Sequence, residues 1–299
     1  MDSQKKKVSE VAGCLIEPER TFMFDYASNL YTGEGEIVDL GCFLGSSTYP
    51  LAAGLEQNSN VANKSKRIFA YDRFEWNAWM ERPASRYQLG KKYQENECFV
   101  DEFERQMGDK LPQINVVKGD LTKLSWPAES FIEYLFVDSM KDWSLCNNII
   151  PGFYPAMKPG VSFLHHQDYV WYQTYWIHLT MYRMKDYFEP VDHKYLGPSR
   201  VFKYTQQLPA ELIQGGLSVQ DFDADEINAA FDHALSITHE PGHANITGAR
   251  ITALLDRGCQ DEAAQVYSVA KSTYPGAFDK APLLNIKARF EPETLKQVG

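Results

Sequence analysis

Residues 36–55, EIVDLGCFLGSSTYPLAAGL, contain a short apolar run that ends in an acid, a turn with two glycines, and a second apolar segment. This order predicts a β-strand, a tight turn, and an α-helix that begins near Thr48. Gly41 can adopt backbone angles that other residues avoid, and it lets a ligand approach the main chain closely. The first amides of a helix are unpaired donors at the positive end of the helix dipole, so the turn predicts a ligand site.

The segments that follow predict a parallel sheet with acids along one edge. Apolar runs end at Asp72, Asp120 and Asp138, and a further run occupies residues 161–164. Open parallel sheets bind ligands at the carboxyl ends of their strands. A carboxylate at position 72 can accept hydrogen bonds from both hydroxyls of a ribose, and Asp120 can accept one from the exocyclic amine of adenine. We therefore expect an α/β fold with a nucleoside site at this edge.

The end of the sheet has a different pattern. Residues 170–187 predict a helix after the run at 161–164. Residues 188–191 and 200–204 are short apolar runs separated by DHKYLGPS, which leaves no room for a crossover helix. Such a pair predicts two antiparallel strands. Residues 73–107 form an insertion rich in aromatic side chains. These side chains either pack in the core or form a lid over the acceptor, since long loops beside a site are commonly functional.

The chain becomes helical after residue 209. Residues 224–238 and 244–274 predict helices with a turn at Gly258, and the spacing resembles a tetratricopeptide hairpin. We divide the chain into a domain over 1–207, with a helical lead-in at its N-terminus, and a helical appendage over 218–299. The appendage is expected to cover a sheet face or to mediate self-association, so a homo-oligomer is one expected assembly.

The amino-acid composition argues against several kinds of partner and site. The 299 residues carry 30 basic and 40 acidic side chains, a net charge of −10, which argues against nucleic acid as a partner. The five cysteines form no C-x-x-C motif, so neither a disulfide framework nor a zinc knuckle is predicted. No apolar run approaches 18 residues and the N-terminus is polar, so we expect no membrane partner and a cytoplasmic location.

Four stretches carry a resemblance to known enzymes. The spacing D-x-G-x-x-x-G at 39–45 resembles the first motif of class I S-adenosylmethionine (SAM) methyltransferases, whereas dinucleotide sites typically read G-x-G-x-x-G. YDRFEW at 71–76, VDSMKDW at 137–143 and YPAMKPGVSFLHHQDYVW at 154–171 resemble elements of the macrocin O-methyltransferase-like group, which methylates sugar hydroxyls of natural products. The resemblance covers about residues 15–205. It implies a Rossmann-like seven-stranded class I methyltransferase sheet, mostly parallel, with a reversed C-terminal strand pair.

The resemblance also implies a function and a set of site residues. The function is transfer of a methyl group from SAM to a hydroxyl of a small polar acceptor, such as a sugar or a glycosylated natural product. The expected cofactor site comprises Asp39, Gly41, Gly45, Ser47, Thr48, Asp72, Arg73, Asp120, Leu121 and Asp138.

Members of that group generally use a divalent ion, often Mg²⁺. The strand-four acid corresponds to Asp138 and one acid after strand five to Asp168, while Gln167 stands in place of the other acid. Since hard cations favour carboxylates, the metal is one alternative and a metal-free base is the other. Asp168, His166 and His165 are the candidates for the base that removes the acceptor proton, and Asp138 would orient the acceptor or hold the ion. Two neighbouring histidines in a strand point to opposite faces, so at most one is expected to face the acceptor.

Two other functions are compatible with parts of the sequence. A nucleotide-cofactor oxidoreductase would share the strand–turn–helix motif, but the missing glycine and the antiparallel strand pair argue against it. A scaffold that binds SAM and acts through its helices would be expected to lose the strand-end acids. Asp39, Asp72, Asp120, Asp138 and Asp168 are all present, which favours the enzyme.

Overall fold

The computed structural model describes residues 8–127 and 129–291. Its centre is a seven-stranded sheet in the order β3-β2-β1-β4-β5-β7-β6. The strands are β1 (Glu36–Leu40), β2 (Ile68–Asp72), β3 (Ile114–Lys118), β4 (Ile132–Val137), β5 (Phe163–His166), β6 (Phe188–Pro190) and β7 (Arg200–Tyr204).

The strand directions define the fold class. The first five strands are parallel, and β7 lies between β5 and β6 and is antiparallel to both. This order, with its C-terminal antiparallel pair, is that of the class I methyltransferase sheet. The predicted Rossmann-like fold is therefore confirmed.

The register of the central strands brings the strand-end residues together. Every residue of β1 and β4 is buried, as expected for strands covered on both faces. Leu40 pairs with Tyr71 on one side and with Val137 on the other, and Val137 pairs in turn with His166. The residues that follow these strands, including Gly41, Asp138 and Asp168, therefore leave the sheet at the same edge.

Helices cover both faces of the sheet. Alternate residues of the strands point into two separate apolar clusters, so that Val38 and Leu40 belong to one cluster and Ile37 to the other. The helices are α1 (Glu17–Asn29), α2 (Thr48–Gln57), α3 (Glu81–Ala84), α4 (Val100–Met107), α5 (Trp143–Phe153), α6 (Tyr175–Arg183), α7 (Ala224–Ser236), α8 (His243–Arg257), α9 (Gln260–Thr273) and α10 (Leu284–Phe290). Among the described residues, no helix is long and apolar enough to cross a membrane.

One predicted helix is shorter than expected. The sequence pattern predicted a helix over 170–187, but α6 spans only Tyr175–Arg183. The backbone of Asp168 has a φ of 59°, which turns the chain sharply after β5. The hydroxyl of Thr174 donates to the carbonyls of Asp168 (2.7 Å) and Trp171 (3.0 Å), so these residues form a closed loop before the helix begins.

The C-terminal helices share one of the two cores. Phe231 of α7 is fully buried, and its ring lies 4.8 Å from the ring of His178 on α6. Arg183 donates to Glu226 at 2.7 Å, and Asn285 donates to the hydroxyl of Tyr172 at 3.1 Å. The apolar packing therefore continues from the sheet into these helices. The division into domains over 1–207 and 218–299 stays a prediction.

Candidate active site

The turn after β1 requires its glycines. Gly41 and Gly45 have φ values of 93° and 99°, in the region that favours glycine. A Cβ at Gly41 would lie 3.0 Å from the carbonyl oxygen of Asp138, and one at Gly45 would lie 2.2 Å from the Cε of Met107. The Gly41 amide donates to the Tyr71 carbonyl at 2.8 Å. The backbone of this turn is thus pressed against β2 and the end of β4.

Asp39 supports the turn from inside the protein. Its side chain is fully buried, and its Oδ2 accepts hydrogen bonds from the hydroxyls of Ser47 (2.7 Å) and Thr48 (2.5 Å). Burial raises the pKa of the Asp39 carboxyl to about 7, although both hydroxyls lower it. Ser47 and Thr48 are also buried, so these three side chains hold the start of α2 in place.

The carboxylate of Asp72 accepts hydrogen bonds from the main chain of two segments, the glycine turn and the residues after β2. Its Oδ2 accepts from the amide of Phe43 at 2.9 Å, and its Oδ1 accepts from the amide of Phe74 at 2.8 Å. Burial raises the pKa of Asp72, and these amides lower it. An ionised carboxylate has about four acceptor sites, so the predicted contact with ribose hydroxyls is compatible with both bonds. Arg73 is exposed and pairs with Glu75 at 2.9 Å.

Asp120 closes its own turn after β3. Its Oδ1 accepts from the amide (3.0 Å) and the hydroxyl (2.8 Å) of Thr122, and these bonds lower the pKa of Asp120. Leu121 is buried, and its carbonyl accepts from the side-chain amide of Asn148 at 2.6 Å. We call the glycine turn with Asp39, Asp72 and Asp120 the cofactor half of the site.

A lysine joins the two acids on the other side of the edge. The ammonium group of Lys141 lies 2.6 Å from Oδ1 of Asp138 and donates also to Oδ2 of Asp168. The two acidic side chains are 19% and 18% exposed, whereas the Lys141 side chain is 49% exposed, so Lys141 is the most solvent-accessible of the three residues. We call Asp138, Lys141 and Asp168 the acceptor half of the site.

The charges of the acceptor half influence one another. Burial raises the pKa of Asp138; Lys141 lowers it, and Asp168 raises it further. Burial lowers the pKa of Lys141, but the two carboxylates outweigh this effect and raise it above its ordinary value. Lys141 is therefore a permanent cation at neutral pH, and it is not a base.

The predicted metal site is not supported by the structure. Among residues 8–127 and 129–291, no group of three or more His, Cys, Asp or Glu side chains could hold a metal ion. The space between the Asp138 and Asp168 carboxylates holds the Lys141 ammonium instead. Gln167 is buried, and its Oε1 has no hydrogen-bond partner among the described residues.

The two histidines lie in the cores on opposite faces of the sheet. Nδ1 of His165 is 2.6 Å from the hydroxyl of Tyr134, and Nε2 of His166 is 2.8 Å from the hydroxyl of Tyr154. Burial lowers the pKa of His165 well below its usual value and that of His166 to about 3. Both rings are almost fully buried. The structure thus brings Asp138 and Asp168 together, and it leaves both histidines inside the protein.

The N-terminal segment also reaches the site. A Cβ at Gly13 would lie 2.2 Å from Oγ of Ser46, so the chain at Gly13 packs directly against the end of the glycine turn. Buried Arg20 holds this segment by donating to the carbonyls of Val8 (2.9 Å), Val11 (2.7 Å) and Leu15 (2.9 Å). Neither the contact of this segment with the glycine turn nor the role of Lys141 was predicted from the sequence. Lys141 lies three residues after Asp138 within VDSMKDW, so its spacing offered a signal, whereas Arg20 offered none.

The chain is similar to known proteins only among solved structures. No protein-family model matches the sequence, and no curated protein matches it. Among solved structures, the chain is similar to the O-methyltransferase NovP, at 12% identity and a TM-score of 0.49 over 67% of this chain and 88% of that chain. It is similar to CalS11, a TDP-rhamnose 3′-O-methyltransferase of calicheamicin biosynthesis, at 12% identity and a TM-score of 0.43 over 62% and 77% of the two chains. Coclaurine N-methyltransferase gives 13% identity and a TM-score of 0.35 over 85% of this chain and 74% of that chain. At these values the fold assignment rests on the strand order.

Proposed function

We propose that this protein transfers a methyl group from SAM to a hydroxyl group of a small polar acceptor, such as a sugar or a glycosylated natural product. The observation that carries the proposal is the pairing of the two halves at one edge of a class I methyltransferase sheet. The backbone of Gly41 lies directly against the carbonyl of Asp138, so a cofactor on the turn would be adjacent to the acceptor half.

The cofactor half supplies the groups that a nucleoside cofactor needs. Gly41 has no side chain to obstruct the main chain, and the first amides of α2 follow the turn. The Asp72 carboxylate at the end of β2 is half-buried and can accept from ribose hydroxyls, while Oδ2 of Asp120 makes no hydrogen bond to the described residues and can accept from adenine. These contacts are the proposed roles of both acids.

The acceptor half supplies the base. The methyl carbon of SAM is already electrophilic, so the protein must align it with the acceptor oxygen and remove the proton of the hydroxyl. Alignment alone can lower the activation free energy of such reactions by on the order of 7 kcal/mol or more. Asp168 is partly exposed and uses one carboxylate oxygen for Lys141, whereas both histidines are buried and bonded to tyrosines. We therefore assign the base to Asp168 and the orientation of the acceptor to Asp138.

Two measurements test the proposal. Calorimetry with SAM, S-adenosylhomocysteine and NADH should show binding of the first two only. Transfer of an isotopically labelled methyl group from SAM should then be followed on separate sets of sugar nucleotides, glycosides, phenols and amines. Binding of NADH without SAM would contradict the cofactor, and transfer to amines alone would contradict the hydroxyl acceptor.

A further inference from the structure

We propose that Lys141 takes the place of a divalent cation in the acceptor half, so that methyl transfer here is independent of metal. This inference rests on the proposed function for its chemistry, but its main test does not. The carboxylates of Asp138 and Asp168 are the chain's candidate ligands for a hard cation, and one ammonium group bridges them. A divalent ion at this position would have to displace a positive charge from between its two ligands.

The segment that carries Lys141 is fixed at several points. The Asp138 amide donates to the Leu40 carbonyl at 2.9 Å, and the Lys141 amide donates to the Ser139 carbonyl at 2.9 Å. Met140 between them is buried, and its carbonyl accepts from the indole of Trp176 at 2.8 Å. The backbone therefore presents Lys141 to the acids by its own packing. The ion pair forms because the packed backbone places Lys141 beside the two acids, since a solvent-exposed ion pair by itself fixes a lysine side chain only weakly.

The composition of the cluster gives the same conclusion. Position 167, next to Asp168, is a buried glutamine, so the cluster has two carboxylates and one ammonium group, with a net charge of −1. Hard cations favour sites in which several carboxylates are free to bind. With Lys141 in place, half of the negative charge that would attract a divalent ion is already neutralised.

The third N–H of the Lys141 ammonium group can interact with the acceptor. An ammonium group has three donors, and Asp138 and Asp168 use two of them. The third can donate to the acceptor oxygen as negative charge develops there. The acceptor hydroxyl gives its proton to Asp168 while its oxygen forms a bond to the methyl carbon of SAM. The carbon–sulfur bond breaks with its electron pair going to sulfur, which yields the methyl ether and S-adenosylhomocysteine, and the proton then passes from Asp168 to water.

The main test measures metal binding and needs no acceptor. Titration with Mn²⁺, followed by electron paramagnetic resonance, should show no tight site in the wild-type protein. Lys141→Met frees both carboxylates and should gain Mn²⁺ affinity by tenfold or more. Lys141→Arg keeps the positive charge and should resemble the wild type. The double variant Lys141→Met/Asp168→Asn should lose the gained site, which would assign it to this cluster.

The opposite pattern would overturn the inference. If the wild-type protein binds Mn²⁺ as tightly as Lys141→Met does, and Asp138→Asn removes that binding, the lysine and the ion coexist. Thermal unfolding and SAM calorimetry on each variant establish that it is folded. A wild-type protein that fails to bind SAM would contradict the proposed function, while the Mn²⁺ comparison would still report on Lys141. Where SAM-dependent transfer is found, excess chelator should leave the wild-type rate unchanged, and a loss reversed by Mg²⁺ would refute the inference.

Discussion

The cofactor half and the acceptor half use the same residue type in different ways. In the cofactor half, Asp39 accepts from two buried hydroxyls, Asp72 from two backbone amides, and Asp120 from one amide and one hydroxyl. In the acceptor half, Asp138 and Asp168 accept from one long side chain that is half exposed. Acids that bond to the main chain and to buried hydroxyls fix the conformation of the backbone around them. Acids that bond to a lysine remain able to exchange that lysine for another hydrogen-bond partner.

The difference follows from the physical strength of the bonds. A hydrogen bond between a charged group and the backbone contributes roughly 1.5–3 kcal/mol, and it adds no flexible side chain to be ordered. A partly exposed ion pair contributes about 0–1 kcal/mol because water screens it and two long side chains lose freedom. Substitution of Asp72 in the cofactor half should therefore change stability and SAM affinity together, and substitutions in the acceptor half should change neither by much.

Asp72→Ala is expected to have the largest effect. It removes the acceptor of two backbone amides, at Phe43 and Phe74, and also the proposed ribose contact. The free energy of unfolding should fall by about 3 kcal/mol, and SAM affinity should fall tenfold or more, which is about 1.4 kcal/mol. Urea unfolding and calorimetry measure the two effects.

Asp120→Ala is the matched control for this variant. Asp120 also follows a strand, but among the described residues its carboxylate bonds only to Thr122, within its own turn. It should lose SAM affinity with a much smaller loss of stability. Equal losses of stability in the two variants would show that the amide bonds of Asp72 do not support the turn.

Gly41→Ala is expected to have the next largest effect. Its φ of 93° costs a residue with a Cβ about 1 kcal/mol, and the new Cβ would lie 3.0 Å from the carbonyl of Asp138. SAM affinity should fall tenfold or more, about 1.4 kcal/mol. Gly258→Ala is the control, because Gly258 has a φ of 92° and a Cβ there would meet no atom of the described residues within 4 Å. Calorimetry should show normal SAM binding for Gly258→Ala. If Gly258→Ala lost as much SAM affinity as Gly41→Ala, general destabilisation of the protein would explain both losses.

The residues of the cofactor half were easier to place from the sequence than those of the acceptor half, for a physical reason. Glycine turns and strand-end acids are local patterns, so Gly41 and Asp72 could be placed from neighbouring residues alone. The partner of Asp168 is 27 residues away in the sequence, and only the pairing of β4 with β5 brings Lys141 beside it. A pattern along the chain contains no information on that contact.

The histidines illustrate the same limit. The alternation of a strand correctly predicted that His165 and His166 point to opposite faces, but not that each would meet a buried tyrosine. Tyr134 lies in the neighbouring strand and Tyr154 lies beyond the helix that precedes β5. The extent of burial depends on the helices that cover both faces. The roles of these residues as bases stay predictions, and their positions favour Asp168.

The buried acid of the cofactor half should give stability a pH dependence. The pKa of Asp39 is raised by burial from 3.8 to about 7 in the folded protein. Between these values the folded state binds more protons than the unfolded state, so stability should fall as the pH rises from about 4 to about 7 and then level off. In Asp39→Asn, the decrease in the free energy of unfolding between pH 5 and pH 7 should be smaller by about 1–2 kcal/mol than in the wild-type protein. Urea unfolding at both pH values measures this.

Glu19 must be considered in that experiment. It is fully buried, and burial raises its pKa to about 7, so it contributes a slope of the same sign. Asp39→Asn should therefore reduce the slope without abolishing it, and Glu19→Gln should reduce it independently. A slope unchanged by Asp39→Asn would show that Asp39 titrates at its ordinary value in the folded protein.

Lys141→Met is expected to have the smallest effect of the four on the folded protein, and it tests the contrast most directly. Lys141 is half exposed, so its two ion pairs should contribute no more than about 1 kcal/mol to the free energy of unfolding at neutral pH. Without the ammonium, the neighbouring carboxylates repel each other and the pKa of Asp138 should rise further. The variant should then lose stability as the pH increases from about 4, since the folded state retains a proton that the unfolded state has released. SAM affinity should match that of the wild type, because no atom of Lys141 bonds to the glycine turn or to Asp72. A tenfold loss of SAM affinity, or a loss of stability as large as that of Asp72→Ala, would mean that the two halves are not separate and that Lys141 also shapes the cofactor site.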